Sequence, residues 1–196
     1  MPLHTLSRGN RRFGLLDYST DTGYLFVQNN SSLSGFTTGG TVTIDGSIGN
    51  PVPSFSVAGG AYAYNSVPGY SSVKNTTYNL QMYANGGTSL CNFFFGCSSF
   101  GVGQMWRLEC RGFAGGFMTT SGWGTWSGTP AGSSYTPATW YQIRIVITST
   151  GLASAWVNGV PDQQNYSIAD NGGYFSFSGD GGNGGHFQDL VVTYGS

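Results

Sequence analysis

The sequence contains very few charged side chains. Seven basic and eight acidic residues make up 8% of its 196 positions, with Lys74 the one lysine and Glu109 the one glutamate. Ordinary soluble domains carry about 25% charged residues. A nucleic-acid-binding surface needs a basic face, and seven basic residues spread along this chain cannot form one. We therefore expect no nucleic-acid partner.

Long apolar runs are also missing. No segment approaches the roughly 20 apolar residues that span a membrane, so we expect no membrane partner. The first nineteen residues, MPLHTLSRGNRRFGLLDYS, lack the apolar segment of a signal peptide. From this we expect either that the protein does not use that export route or that a signal has been removed.

The three cysteines, Cys91, Cys97 and Cys110, are an odd number, which excludes a fully paired intramolecular framework. No C-x-x-C pair indicates zinc. Cys91 and Cys97 flank Asn-Phe-Phe-Phe-Gly and could bridge a hairpin in an oxidising compartment. In the alternative interpretation, all three are buried thiols that act as small hydrophobic side chains.

Glycine and aromatic residues are abundant, and they indicate β-structure. There are 33 glycines and 15% aromatic residues, as is typical of pleated surfaces joined by tight turns. Strand-like runs recur between Gly-, Asn- and Ser-rich spacers, and no window has a helical period. The expected strands are Gly23–Gln28, Thr41–Ile48, Tyr78–Tyr83, Ser89–Phe95, Met105–Phe113, Tyr141–Thr148, Leu152–Asn158, Tyr174–Ser178 and Phe187–Tyr194.

These runs predict about ten to twelve strands in an all-β, two-sheet antiparallel sandwich over residues 21–196. An extended arm, residues 1–20, precedes it. In the last third, Tyr141–Thr148 and Leu152–Asn158 form a predicted hairpin, after which Asn158-Gly159 supplies a type I′ turn. Residues 119–139 are the longest stretch without periodicity, and such length favours a functional loop or a disordered one.

The end of the chain resembles a known family. The pattern Trp140-Tyr141-x-Ile143-x-Ile145, a turn, Gly151-x-Ala-x-Ala155-Trp156-Val157-Asn158-Gly159 and a last strand Phe187-x-Asp189-Leu-Val-Val192 resembles the concanavalin A-like, laminin-G-like jelly rolls. The resemblance implies that the final strand returns beside the first. It also implies that Trp156 and Asn158-Gly159 are scaffold residues.

Many jelly rolls of this family cleave polysaccharides, but the residues for catalysis are not evident. Glycoside hydrolysis needs two carboxylates, and Glu109 lies between Arg107 and Arg111, which favours an ion pair. The lyase-like Gln142-Ile143-Arg144 has Arg where the lyases have the titratable His. A Ser-His-Asp site would need His186, and no G-x-S-x-G is present. We expect no enzyme and no catalytic residues.

Metal binding is suggested only by Asp180-Gly-Gly-Asn183, which could coordinate calcium through a carboxylate, an amide and backbone carbonyls. A segment of this kind is more often a simple turn. It is not a phosphate loop, because no Lys-Ser/Thr and no helix follow. The sequence therefore predicts no cofactor, with calcium as the open alternative.

Two groups of residues are candidates for binding. The arm contains Arg8, Arg11 and Arg12, which could pair with carboxylates of a neighbouring protein. Trp123, Trp126 and Tyr135 in the long aperiodic stretch could stack on sugars, anchor an interface, or fold back to cap the sandwich.

The function predicted first is a non-enzymatic assembly protein located in a virion, such as a phage decoration or tail component, which docks through its arm onto protein neighbours. The alternative is a glycan-binding module, secreted or receptor-binding, whose partner is a cell-surface glycan. A polysaccharide lyase or hydrolase is the third possibility.

Overall fold

The structure is a computed structural model, and it describes residues 24–49, 53–66, 72–99, 101–113, 115–122, 125–128, 131–170 and 172–194. The predicted arm, residues 1–20, lies outside these ranges. They hold no helix that could span a membrane.

Sixteen strands account for the regular structure of these ranges. In chain order they are β1 (Tyr24–Val27), β2 (Thr37–Gly39), β3 (Val42–Asp45), β4 (Ser54–Val57), β5 (Tyr62–Ser66), β6 (Thr76–Ala84), β7 (Ser89–Ser99), β8 (Val102–Glu109), β9 (Gly116–Gly122), β10 (Thr125–Ser127), β11 (Trp140–Ile147), β12 (Leu152–Val157), β13 (Val160–Pro161), β14 (Tyr166–Ser167), β15 (Tyr174–Gly181) and β16 (Gly185–Tyr194).

The strands form two antiparallel sheets, which confirms the predicted jelly-roll sandwich. The nine-stranded sheet has the order β13-β12-β11-β6-β16-β4-β3, with β14 beside β12 and β1 beside β16. The seven-stranded sheet has the order β10-β9-β8-β7-β15-β5-β2. The last strand therefore lies beside the first described strand, as the family resemblance implied.

The core lies between the sheets and is formed by alternate residues of each strand. On β11 and β6 these include Ile143, Ile145 and Leu80, all almost fully buried. Aromatic rings from both sheets meet at Phe177, whose ring centroid is 4.9 Å from that of Phe187 in the opposite sheet. Strand β7 is buried on both faces over nine residues, in agreement with its mostly apolar sequence.

The hairpin of β11 and β12 has the predicted pairing, with Ile145 opposite Ala155. Strand β12 then turns into β13, where Val157 pairs with Val160 across Asn158-Gly159. Asn158 has φ 51° and Gly159 has φ 80°, the two positive angles that a type I′ turn requires. The Asn158 side chain also accepts a hydrogen bond from the Gln142 backbone at 2.8 Å, which ties the turn to the neighbouring strand.

All three cysteines are buried free thiols, as in the second interpretation of the sequence. Cys91 packs in the main core. Cys97 packs with Phe94, Met105 and Met118 in a separate apolar cluster, so the two thiols are not bridged. Burial raises the pKa of Cys97 to about 12 and that of Cys110 to about 11, so both are protonated at neutral pH.

Close packing leaves no room for a side chain at the start of β16, and this can be tested. A Cβ atom at Gly185 would collide with the Cys91 sulfur and the Tyr83 carbonyl oxygen, whereas one at Gly87 would meet no atom within 4 Å. We predict that Gly185→Ala lowers the free energy of unfolding by about 2 kcal/mol or more. The matched Gly87→Ala changes it by less than about 0.5 kcal/mol. Guanidinium unfolding measures both, and equal stabilities would contradict this packing.

Candidate functional site

Each sheet presents an outer face away from the core, and the two outer faces differ in how far a ligand can reach them. On the seven-stranded sheet the side chains of Asn92, Arg107, Glu109 and Ser178 are nearly inaccessible. On the nine-stranded sheet the side chains of Asn79, Gln81, Gln142 and Arg144 are half-buried or exposed. Because strand residues alternate between faces, the residues on each outer face are the alternate residues of its strands that do not point into the core.

A hydrogen-bonded chain of polar groups crosses the seven-stranded sheet. The Asn92 amide donates to the Ser178 hydroxyl at 3.1 Å, and the Arg107 Nε donates to the Asn92 oxygen at 3.0 Å. Glu109 accepts two hydrogen bonds from the Arg111 guanidinium, both 2.8 Å long. Asn92, Arg107 and Glu109 are each less than 5% exposed. These groups are occupied with one another and are poorly placed to contact a ligand.

Glu109 is therefore the ion-paired residue expected from the sequence and an unsuitable proton donor. Burial alone would raise the pKa of its carboxyl, but hydrogen bonds from Arg111 and the charges of Arg111 and Arg107 together hold that pKa below its ordinary value. A general acid in glycoside hydrolysis needs a raised pKa. Asp180 influences the same two arginines through its charge, so both carboxylates belong to an electrostatically satisfied cluster.

His186 is the one histidine among the described residues, and it is hydrogen-bonded to a serine. The Ser54 hydroxyl lies 3.0 Å from the His186 Nδ1 and donates its proton to the Ile48 carbonyl at 2.6 Å. Nδ1 must then carry the proton of the ring and donate to Ser54. Burial lowers the pKa of His186 more than the charge of Asp45 raises it, which keeps the ring neutral. The pair is structural, since the serine has no proton to give to this nitrogen.

The outer face of the nine-stranded sheet carries aromatic and amide side chains in register. Trp140 of β11 lies opposite Tyr83 of β6, with ring centroids 5.3 Å apart. Gln142 lies opposite Gln81 in the next row. We call this surface the polar–aromatic face and define it by Asn79, Gln81, Tyr83, Trp140, Gln142, Arg144 and Trp156.

The third row of this face contains a stacked cation. Arg144 pairs with Asn79 of β6 on one side and with Trp156 of β12 on the other. Its guanidinium carbon lies 5.5 Å from the centre of the Trp156 ring. Arg144 is exposed and Trp156 is half-buried. Trp156, expected to be a scaffold residue, thus lies on the outer face and positions this cation.

A carboxylate at the centre of β16 supports the same face. Asp189 lies in an irregularity of the strand between Gln188 and Val191 and has φ 56°. It accepts hydrogen bonds from Asn30 at 2.6 Å and from Gln81 at 2.9 Å. The Gln81 amide is thereby fixed on the polar–aromatic face.

The residues singled out from the sequence are placed elsewhere. Tyr135 packs against the Trp106 ring and donates its hydroxyl proton to Asp162 at 2.8 Å. This is the capping arrangement, so a ligand-binding role for Tyr135 is not favoured by its position. Trp126 pairs with Thr120 through its backbone. The candidates Arg8, Arg11, Arg12 and Trp123, and the side chain of Trp126, lie outside the described residues, and their binding roles stay predictions.

The calcium alternative gains no support from the described part of the chain. No group of three His, Cys, Asp or Glu side chains that could hold a metal ion is found there. The Asn183 carbonyl oxygen accepts a hydrogen bond from the Asn85 amide at 2.7 Å, which fits a turn. Calcium binding at Asp180 and Asn183 stays an untested alternative.

Sequence reasoning missed the polar–aromatic face because its strands come from distant parts of the chain. The signal in the sequence was the alternation of Trp140, Gln142 and Arg144 with the more apolar Tyr141, Ile143 and Ile145 along one strand. If this alternation is interpreted as a row of outward-pointing side chains, it identifies three of the seven residues that define the polar–aromatic face. Their register with β6 could not be derived from the sequence.

Comparison with known proteins identifies the fold. No family model matches the chain, and no curated protein sequence matches it. Among solved structures, the carbohydrate-binding module CBM66 from Bacillus subtilis is similar with a TM-score of 0.59 and 12% identity, covering 81% of this chain and 95% of that one. Domain 4 of AbnA, an extracellular GH43 arabinanase from Geobacillus stearothermophilus, in complex with arabinotriose, gives 0.56 and 19%, covering 82% of each.

A Bacillus subtilis protein of unknown function with a galectin-like fold has a TM-score of 0.61 at 13% identity, covering 89% of this chain and 98% of that one. At these identities the likeness is one of fold. The fold is a jelly-roll sandwich, the fold that the resemblance in the sequence implied.

The ion-paired state of Glu109 predicts a pH-dependent stability. Because its folded pKa is depressed, the carboxylate stabilises the fold above its unfolded pKa of about 4.3, and this contribution is lost as the pH falls through the folded value. We expect Glu109→Gln to lower the free energy of unfolding by about 2 kcal/mol at pH 7. This is less than the loss of a fully buried pair would cause, because Arg111 is 38% exposed. The difference from wild type should shrink below about pH 4.

Chemical unfolding between pH 3 and 7 measures this effect. Arg144→Gln serves as the control, since it removes a charge that has no ion pair with the described residues. Equal stability of Glu109→Gln and wild type at pH 7 would show that the ion pair contributes nothing.

Proposed function

We propose that this chain is a carbohydrate-binding domain without catalytic activity, and that its ligand lies on the polar–aromatic face. The observation that carries the proposal is the accessible row of Trp140, Gln142 and Arg144 on β11, flanked in register by β6 and β12. These side chains combine an apolar ring with planar polar groups on one face of the sheet.

Carbohydrates fit this combination chemically. A sugar ring has faces of C–H groups that pack on aromatic rings, and an edge of hydroxyls that both donate and accept hydrogen bonds. A tryptophan supplies a large apolar surface at low cost in conformational entropy. A glutamine or asparagine amide offers two donors and an acceptor. The side-chain amides of Asn79 and Gln142 make no hydrogen bond with the described residues, and both are at least partly exposed.

Rigidity favours binding at this face. The side chains project from paired strands, where positions are fixed more closely than on loops. Trp140 is packed against Tyr83, and Gln81 is held by Asp189. Since less freedom remains to be lost when a ligand binds, more of the interaction energy appears as affinity. Three strands spaced by about 4.8 Å place the outer rows of this face about 10 Å apart, enough for a short oligosaccharide.

The comparisons support the same class of ligand. By their descriptions, one similar structure is a carbohydrate-binding module and another is an arabinanase domain in complex with arabinotriose. The chemistry of the described residues agrees with binding rather than hydrolysis, because Glu109 is held ionised by Arg111 and Ser54 donates its proton away from His186.

The virion assembly role, by contrast, has no support among these comparisons. It depends on Arg8, Arg11 and Arg12, which lie outside the described residues. Docking through the arm and location in a virion therefore stay predictions, second to carbohydrate binding.

Removal of the central ring tests the proposal. We expect Trp140→Ala to weaken binding about tenfold, because it deletes the apolar surface on which a sugar would pack. Gln142→Ala should weaken it several-fold. A panel of neutral and acidic oligosaccharides on an array identifies the ligand, and isothermal titration calorimetry then measures the affinity of each variant.

Phe113→Ala is the matched control, since this ring is 66% exposed and lies outside the polar–aromatic face. It should bind as wild type does. Failure of the wild-type protein to bind any oligosaccharide in the panel would contradict the proposal, as would undiminished binding by Trp140→Ala.

A further inference from the structure

Arg144 differs from the other arginines that the structure describes. Arg107 and Arg111 both form ion pairs with Glu109, whereas Arg144 forms no ion pair within the described ranges. Its guanidinium is nevertheless held in place, 5.5 Å from the centre of the Trp156 ring. An exposed arginine usually samples many rotamers, and stacking on an aromatic face restricts them. The side chain is thus a positioned cation with unused hydrogen-bond donors.

The neighbours of Arg144 add further donors but no competing charge in direct contact. Asn79 lies opposite it on β6, and Gln142 precedes it by two residues on the same face. Two carboxylates lie near this part of the sheet, and both accept hydrogen bonds from other residues. Asp189 of β16 accepts them from Asn30 and Gln81. Asp162, next to the Pro161 that pairs with Trp156, accepts them from Ser133 and Tyr135. His186, also on this sheet, is kept neutral because burial lowers its pKa.

From this arrangement we infer that the glycan bound on the polar–aromatic face carries a carboxylate, as a uronic acid does, and that Arg144 binds it. The planar guanidinium presents two parallel N–H groups that match the two oxygens of a carboxylate. The amides of Asn79 and Gln142 are placed to bond the hydroxyls beside that carboxylate. The inference rests on the proposed function and specifies the class of its ligand.

Matched pairs of oligosaccharides test the inference. The probes are uronate-containing oligosaccharides and the same compounds with each carboxyl reduced to a hydroxymethyl group. We expect wild type to bind at least one uronate probe about tenfold more tightly than its reduced partner, the loss typical of one charge-assisted pair. Arg144→Gln should abolish that preference while retaining the affinity for the reduced compound.

Two further variants separate the bidentate contact from general charge. Arg144→Lys keeps the charge without the planar fork and should recover only part of the preference. Lys74→Gln removes an exposed positive charge away from the polar–aromatic face and should leave the preference unchanged. Added salt should weaken uronate binding in wild type more than in Arg144→Gln.

The outcomes distinguish this inference from the proposed function. Equal affinity of wild type for the uronate and reduced probes, or a preference that survives in Arg144→Gln, would overturn the inference and leave carbohydrate binding standing. Absence of binding to either kind of probe, and to every neutral oligosaccharide of the panel, would overturn both.

Discussion

The register of β11 between β6 and β12 is the constraint on which the rest of this structure depends. Burying Ile143, Ile145 and Ile147 against the other sheet forces Gln142 and Arg144 outward, because strand residues alternate between faces. A slip of one residue would turn the isoleucines to solvent and the polar residues into the core. The burial of apolar side chains that stabilises the core therefore also keeps the side chains of the polar–aromatic face directed outward. The Asn158-Gly159 turn and its hydrogen bond to the Gln142 backbone further fix this register.

Charged side chains are scarce, and several of those on the two sheets that the structure describes have defined partners. On the seven-stranded sheet, the buried Arg107 and Glu109 form an ion pair, and the partly exposed Arg111, just beyond β8, also pairs with Glu109. On the nine-stranded sheet, Asp189 orients an amide and Arg144 stacks on a ring. A low surface charge also weakens long-range attraction, so the binding that we propose at this face would depend on short-range contacts.

Much of the fold could be predicted from the sequence, because long alternating runs and the Asn-Gly turn have direct structural meanings. Strands β6, β7, β11 and β12 were all expected. The short strands β2, β4, β5, β10, β13 and β14 were missed, since two to five residues carry little periodicity. The polar–aromatic face was not predicted, because the pairing of Tyr83 with Trp140 joins residues far apart in the chain. The sequence pointed instead to the aromatic residues of the long loop, and one of them, Tyr135, packs against Trp106.

Nuclear magnetic resonance would test the location of the ligand most directly. The ¹⁵N-labelled protein is titrated with the oligosaccharide that binds it most tightly, and the side-chain N–H resonances are followed. The account predicts shifts at the indole N–H groups of Trp140 and Trp156 and at the amide of Gln142, with Trp106 unmoved. Shifts centred on the Asn92 amide in the seven-stranded sheet, with none at Trp140, would contradict it.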